Sequence, residues 1–256
     1  MRTVTEPVVV CTAVHKAYGS RTVLRGLSLS VQAGESVALV GLNGAGKTTL
    51  LRCLLDFQRA DQGTLTLHGH RSRDAAARAG LAFLPERFQA PAFLTGLEFL
   101  QLSARLHGQP WQADRAAAQC ADLALAWTDL AAPVSRLSKG SGQKLGLAAC
   151  LLSQKALYIL DEPLSGLDVQ ARALAIRALL QLRKEGRTLL FTCHEPADID
   201  VLCNRMALLH GGMLRFEGTP DQLRRHQACQ SLEQAVLDCL ASTAGSAQPA
   251  VPLAPA

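Results

Sequence analysis

Residues 36–51 read SVALVGLNGAGKTTLL, and the fold turns on how that run divides. SVALV, residues 36–40, is short, apolar and valine-rich, as a buried strand should be. Residues 48–55, TTLLRCLL, have helical composition. Between them lies Gly41-Leu42-Asn43-Gly44-Ala45-Gly46-Lys47-Thr48, which fits G-x-x-x-x-G-K-S/T in the strand–loop–helix context that this pattern requires. The glycines let backbone N–H groups turn inward around phosphate oxygens, Lys47 supplies a cation for the β- and γ-phosphates, and Thr48 offers a hydroxyl to magnesium. The run therefore predicts a nucleoside triphosphate site, without saying which machine uses it.

Working outward, residues 8–14 and the alternating residues 23–31 predict strands before the loop. TLTLHG, ending at Gly69, and GLAFL, before Pro85, predict two more after it. From 88 to 134 strand signals vanish. Thr95 and Glu98 form a T-x-x-E capping box, with Gly108 as the stop and Leu97, Leu100 and Ala104 on one face. Residues 110–126 have a second helical pattern, so a helical segment is expected inside an α/β core. After Lys144 the order is helix, strand (ALYIL), helix from Asp168, strand (TLLFT), and a hairpin in MALLHGGMLRFEG with a Gly-Gly turn. The last stretch, ASTAGSAQPAVPLAPA, residues 241–256, is Ala/Pro/Ser-rich and is expected to be a disordered tail.

The chain has 256 residues, 48% of them hydrophobic and 18% charged, enough for a sizeable core. No apolar run has the length needed to cross a bilayer, and the N-terminus reads as a first strand, which predicts a cytoplasmic protein. Eight scattered cysteines, with no C-x-x-C pair and no matching histidine spacing, fit free thiols and not a zinc site. The net charge of +5 is a mild basic bias. Without a dense basic run or interleaved aromatics it predicts no nucleic-acid partner.

Three further features fit a phosphate site. LYIL, residues 157–160, puts four apolar residues ahead of Asp161 and Glu162. The carboxyl ends of parallel strands share one sheet edge, so these acids are expected at the phosphate loop, Asp161 holding magnesium and Glu162 polarising the attacking water. His194 follows TLLFT at the same edge, near the γ-phosphate. Tyr18 precedes the second strand and fits either an adenine-stacking aromatic or a core tyrosine. A different question is raised by RLSKGSGQK, residues 136–144, a polar cationic segment directly before the apolar LGLAACLL. It is either a surface loop or the start of a helix, at Ser138, whose free N–H groups serve an anion.

Together these residues resemble the nucleotide-binding subunit of ABC transporters, over about residues 8–225. In that resemblance GLNGAGKTT, running through Thr49, is the Walker A loop, Tyr18 the adenine-stacking aromatic, and LYILDEP the Walker B strand with Glu162 as catalytic glutamate. LSGLD, containing Ser165 and Asp168, is the D-loop, and His194 the switch histidine. Leu137-Ser138-Lys139-Gly140-Ser141 aligns with the signature usually spelled LSGGQ, so Lys139 stands where the family has glycine. Glu86 stands where the family's Q-loop glutamine contacts magnesium, and a glutamate oxygen is also a magnesium ligand. The resemblance implies an α/β fold: a P-loop NTPase core with an N-terminal antiparallel β subdomain and an inserted α-helical subdomain at about 88–150, within an ATPase domain spanning 1–240.

It also implies a function, namely ATP hydrolysis, with Mg2+, powering translocation through a separate integral membrane permease. Two copies, a homodimer, would pack head to tail, with ATP between one copy's phosphate loop and the other's signature, on the cytoplasmic face of the membrane. LPE followed by an aromatic-rich run is similar to export-type members. The helix from Thr95 and the loop around Phe88 and Phe93 would form the permease-docking surface. The alternative is a soluble ATPase of the same superfamily acting on ribosomes or nucleic acid. Those usually carry paired cassettes or a coiled-coil insertion, and neither is present. A GTPase or small-molecule kinase would leave the signature-like segment unexplained, and the sequence has no N-K-x-D guanine motif.

Overall fold

A computed structural model describes residues 6–242, and the chain groups into two compact units, one formed by residues up to Gly80 and from Thr188 onward, the other by Leu81–Arg187. The first unit opens with β1 (Pro7–Tyr18) and β2 (Arg21–Gln32), paired antiparallel. Their inward residues, Val9, Cys11, Val14, Leu24, Leu27, Leu29 and Val31, are buried; they alternate with period two except where Ala13 and Gly26, both at positive φ, let each strand slip by one residue. β3 (Ser36–Val40) is buried throughout and leads through the glycine loop to α1 (Lys47–Leu54). β4 (Gln62–Leu67) pairs antiparallel with β1 and with the short β5 (His70–Arg71), giving the order β2-β1-β4-β5. A single-turn helix, α2 (Ala75–Ala79), completes this stretch.

The second unit contains a parallel strand pair and the helical run. β6 (Leu81–Leu84) is followed by α3 (Gly96–Leu106), where Thr95 accepts from the Glu98 amide while Glu98 accepts from the Thr95 amide. This is the capping box expected from sequence. α4 (Ala113–Asp122) is shorter than the 110–126 pattern predicts. Ala124 has φ 48, a left-handed residue that stops the helix, and 3₁₀ turns at Trp127–Ala131 and Val134–Arg136 follow. α5 (Lys139–Leu152), β7 (Leu157–Leu160) and α6 (Val169–Lys184) close the unit. β6 and β7 run parallel, with Leu84 opposite Leu160.

The chain then re-enters the first unit. β8 (Thr188–Thr192) lies parallel to β3, α7 (Pro196–Leu202) follows, and β9 (Arg205–His210) runs parallel to β3 on its other side. β10 (Met213–Gly218) returns antiparallel to β9. Gly211 and Gly212, both at positive φ (57° and 81°), make the turn, as a two-residue hairpin requires. α8 (Pro220–His226) and α9 (Leu232–Ser242) end the described chain. The architecture is α/β, with the antiparallel N-terminal sheet, the parallel strands around β3 and the helical run all found. Apart from the last two residues of α9, the tail expected at 241–256 lies outside the described residues.

Candidate nucleotide site

In the first unit the phosphate loop is shaped by close approaches. Gly41, Gly44 and Gly46 have φ of 155°, 79° and 111°. A Cβ on Gly41 would stand 2.3 Å from the Leu209 carbonyl oxygen, and one on Gly46 2.9 Å from Leu24 Cδ2 and 3.1 Å from the Val23 oxygen. Only glycine fits either place. α1 starts at Gly46 with no side-chain cap, so its first amides are available to an anion and carry the positive end of the helix dipole. Lys47, 8% exposed, folds onto the loop and donates to the Gly41 carbonyl at 2.6 Å and the Leu42 carbonyl at 3.5 Å. Thr48 and Thr49 are half-buried in the same turn, while Leu42, Asn43 and Gly44 are exposed and Ala45 is buried.

His194 belongs to the same edge. Leu39 of β3 pairs with Thr192 of β8, and the Cys193 amide donates to the Leu39 carbonyl at 3.4 Å. The two strands therefore end together, and His194 leaves the sheet where the glycine loop does. Its side chain is largely exposed and its Nε2 lies 3.7 Å from a Glu195 oxygen. Tyr18, at the end of β1, is 43% exposed, so it is a surface aromatic and not a core tyrosine. Its hydroxyl donates to Gln58, and the Lys16 ammonium stands 5.7 Å above its ring.

In the second unit, Asp161 follows β7 directly, is 3% exposed, and donates its amide to the Leu84 carbonyl at 2.8 Å. Glu162 has φ 50°, a left-handed backbone that costs a non-glycine residue about 1–2 kcal/mol, so the local chain holds this side chain in a strained place. Ser165 is half-buried. Asp168 caps α6, accepting from the Ala171 amide at 2.8 Å. Glu86, exposed and two residues past β6, lines a cleft of about 550 Å³ with Ser138, Lys139 and Gln143.

The segment at 136–144 is a helix start. Ser138 is the N-cap of α5, and its Oγ accepts from the Ser141 amide at 3.1 Å and lies 3.0 Å from the Ser141 hydroxyl. The Lys139 and Gly140 amides have no bonded acceptor among the described residues, which leaves an anion-ready turn. It also touches the 164–168 loop: a Cβ on Gly166 would meet Lys139 Cε at 3.3 Å, and one on Gly140 would meet the Gly166 oxygen at 3.4 Å. Gln143 was not singled out from sequence. It is 6% exposed and donates to the Pro163 carbonyl at 3.3 Å, tying α5 to the residue after Glu162. A lone glutamine on the buried face of an apolar helix was the available signal.

The donors fit magnesium in kind. Thr48 offers a hydroxyl and Asp161 a carboxylate, both hard oxygens.

Comparison with known proteins agrees with this geometry. Residues 24–165 match the family described as ABC transporter. Nod factor export ATP-binding protein I of Burkholderia orbicola is 38% identical over 215 residues, 82% of this chain and 70% of that protein. A solved ATP binding subunit of an ABC transporter superposes with a TM-score of 0.83 at 27% identity, over 91% of this chain and 99% of that one. An ATP-binding cassette solved as a dimer in a post-hydrolysis state with ADP and Pi gives a TM-score of 0.75, over 82% of this chain and 98% of that one; at 21% identity this likeness shows the fold alone. The chain belongs to the ABC transporter family, as an ATP-binding subunit whose ATP hydrolysis powers transport.

Proposed function

We propose that this chain drives export by a separate membrane permease as one of two identical ATPase subunits, with the residues above in the following roles. The loop amides and Lys47 hold the β- and γ-phosphates. Phosphate oxygens are charged acceptors and outcompete the Gly41 carbonyl for the Lys47 ammonium. Tyr18 presents its exposed face to adenine. Thr48 and Asp161 hold Mg2+, with Glu86 as a further oxygen ligand. When bound, that ion offsets the phosphate charge. Glu162 accepts the proton of the attacking water, and His194 contacts the γ-phosphate from the end of β8. The signature acts in trans: Ser138, Gly140 and Ser141 at the start of α5, with Lys139 beside them, meet the γ-phosphate bound by the second copy. Ser165 and Asp168 of the D-loop line that interface.

The observation that carries the nucleotide reading is the uncapped start of α1 with Lys47 folded against its loop. Among the described residues no helix is long and apolar enough to cross a membrane, so in this reading the pore belongs to the separate permease and the subunit sits against its cytoplasmic side. Phe93, 84% exposed just before α3, and Leu106, 77% exposed at its last residue, suit permease docking. The Burkholderia relative is named for export, and this supports the direction. Lys47→Ala tests the core of the reading. Purified protein should lose ATP hydrolysis because the phosphate charge loses the loop's own cation, and wild-type turnover in the variant would refute it.

A further inference from the structure

A second cleft lies in the second unit, enclosed by α4, β7, α6 and the end of α5, with a volume of about 540 Å³. That is the size of a small-molecule site. It is separate from the signature, since Leu151, the α5 residue in its lining, stands about 18 Å along the helix from Lys139 at 1.5 Å per residue.

Its lining is unusual for an ordinary packing defect. Arg115 and Arg177, both exposed, and the half-buried Arg187 line it from α4, α6 and the turn after α6. None of these guanidiniums is in an ion pair among the described residues. Tyr158 of β7 is 1% exposed, yet its hydroxyl has no hydrogen-bond partner, and neither has the enclosed Arg187 Nε. Ser153 stands close enough to the phenol to oppose part of the burial effect on it, but its own proton goes to the Cys150 carbonyl at 2.5 Å. Burial raises the Tyr158 pKa, so the phenol remains a donor, and the charged groups that also act on it include Arg187 and Glu185, both in the cleft lining. Two acids face the same space. Glu185 already accepts from Gln181 at 3.0 Å, and with Asp122 it is outnumbered by the arginines. Leu151, Leu174 and Leu182 supply an apolar wall.

Buried donors without acceptors are costly and are normally satisfied. Unpaired arginines beside such donors and an apolar wall match one class of ligand. We infer that this cleft binds a small amphipathic organic anion, whose oxyanion head takes the Tyr158 hydroxyl and the Arg177 and Arg187 guanidiniums while its apolar body lies on the leucines. Such a ligand would touch α4 and α6 at once and tie them together.

The test uses the full chain saturated with ADP, so that the phosphate loop is occupied. Hexyl phosphate and hexanoate are titrated separately by calorimetry, with inorganic phosphate as the headgroup control. At least one of the two amphiphiles should bind saturably at one site, the stronger one showing which head is preferred, and inorganic phosphate should bind more weakly. Arg177→Ala and Arg187→Ala should each weaken binding about tenfold or more, as expected for loss of a charge-assisted bond. Tyr158→Phe should weaken it several-fold while keeping the ring. ADP affinity and melting temperature should stay at wild-type values in Arg177→Ala, whose side chain is exposed. No saturable binding of either amphiphile, equal binding of inorganic phosphate, or binding indifferent to all three substitutions would overturn the assignment.

Discussion

Replacing Gly46 with alanine probes the phosphate loop through its backbone. Gly46 sits at φ 111°, and its new Cβ would lie 2.9 Å from Leu24 Cδ2 and 3.1 Å from the Val23 oxygen. The backbone conformation costs an alanine about 1–3 kcal/mol, and overpacking adds about 1–3 kcal/mol. The loop has little room to yield, because Gly41 at its other end is held against the Leu209 carbonyl. A total of about 4 kcal/mol is a large part of a typical stability of roughly 5–15 kcal/mol. For a chain of this size it lowers Tm by about 8–16 °C. Gly44 is the control. Its φ is 79°, and an added Cβ meets only the movable end of Arg21, at 3.4 Å. Gly44→Ala should cost about 1 kcal/mol, or about 2–4 °C. Thermal unfolding with and without ATP reads both effects, since ATP stabilises the native protein by mass action. Gly46→Ala should lose the ATP-induced rise as well. Equal melting temperatures for the two variants, or a wild-type ATP shift in Gly46→Ala, would refute the reasoning.

Glu162→Gln keeps the side-chain shape and removes the proton acceptor. Hydrolysis should fall roughly hundredfold or more while ATP still binds, and persistence of turnover would remove Glu162 from the chemistry. Asp168 serves two readings, as helix cap and as D-loop residue. Asp168→Ala should cost about 1 kcal/mol of stability, and Asp168→Ser should restore stability by keeping an oxygen for the Ala171 amide. If ATPase activity stays low in Asp168→Ser, the residue acts beyond the cap; if it returns with stability, capping is its whole contribution.

The parts of the fold that were legible are those written in local chemistry. The strand–glycine–helix run at 36–54, the capping box at Thr95 and Glu98, and the Gly211-Gly212 hairpin each depend on neighbours in sequence. The excess length predicted for α4 came from alanines at 124 and 126, which have helical propensity, while the left-handed turn at Ala124 is set by tertiary context. α2, α7, α8 and α9 were not anticipated; the first three are seven residues or shorter, too brief for periodicity to register. In the site, spacing placed Lys47 at the start of the helix after the glycine loop, and Asp161 and His194 just past the ends of strands. It left Tyr18 open between surface and core, a question only exposure could answer. It also passed over Gln143, whose contact with Pro163 joins residues twenty apart in sequence. Ser138 as a cap was readable, but the contact between Lys139 and Gly166 was not.

The central claim is that ATP is hydrolysed between the phosphate loop of one copy and the α5 start of another, and mixing two inactive variants tests it directly. Ser138→Arg blocks the signature turn and Lys47→Ala removes the loop cation, so each homodimer should be inactive. In the mixed dimer the intact Lys47 of the first chain meets the intact Ser138 turn of the second, rebuilding one complete site. The account predicts that ATPase activity returns on mixing and scales with the mixed-dimer fraction. Normal ATP hydrolysis by the Ser138→Arg homodimer, or no recovery on mixing when mixed dimers are shown to form, would contradict it.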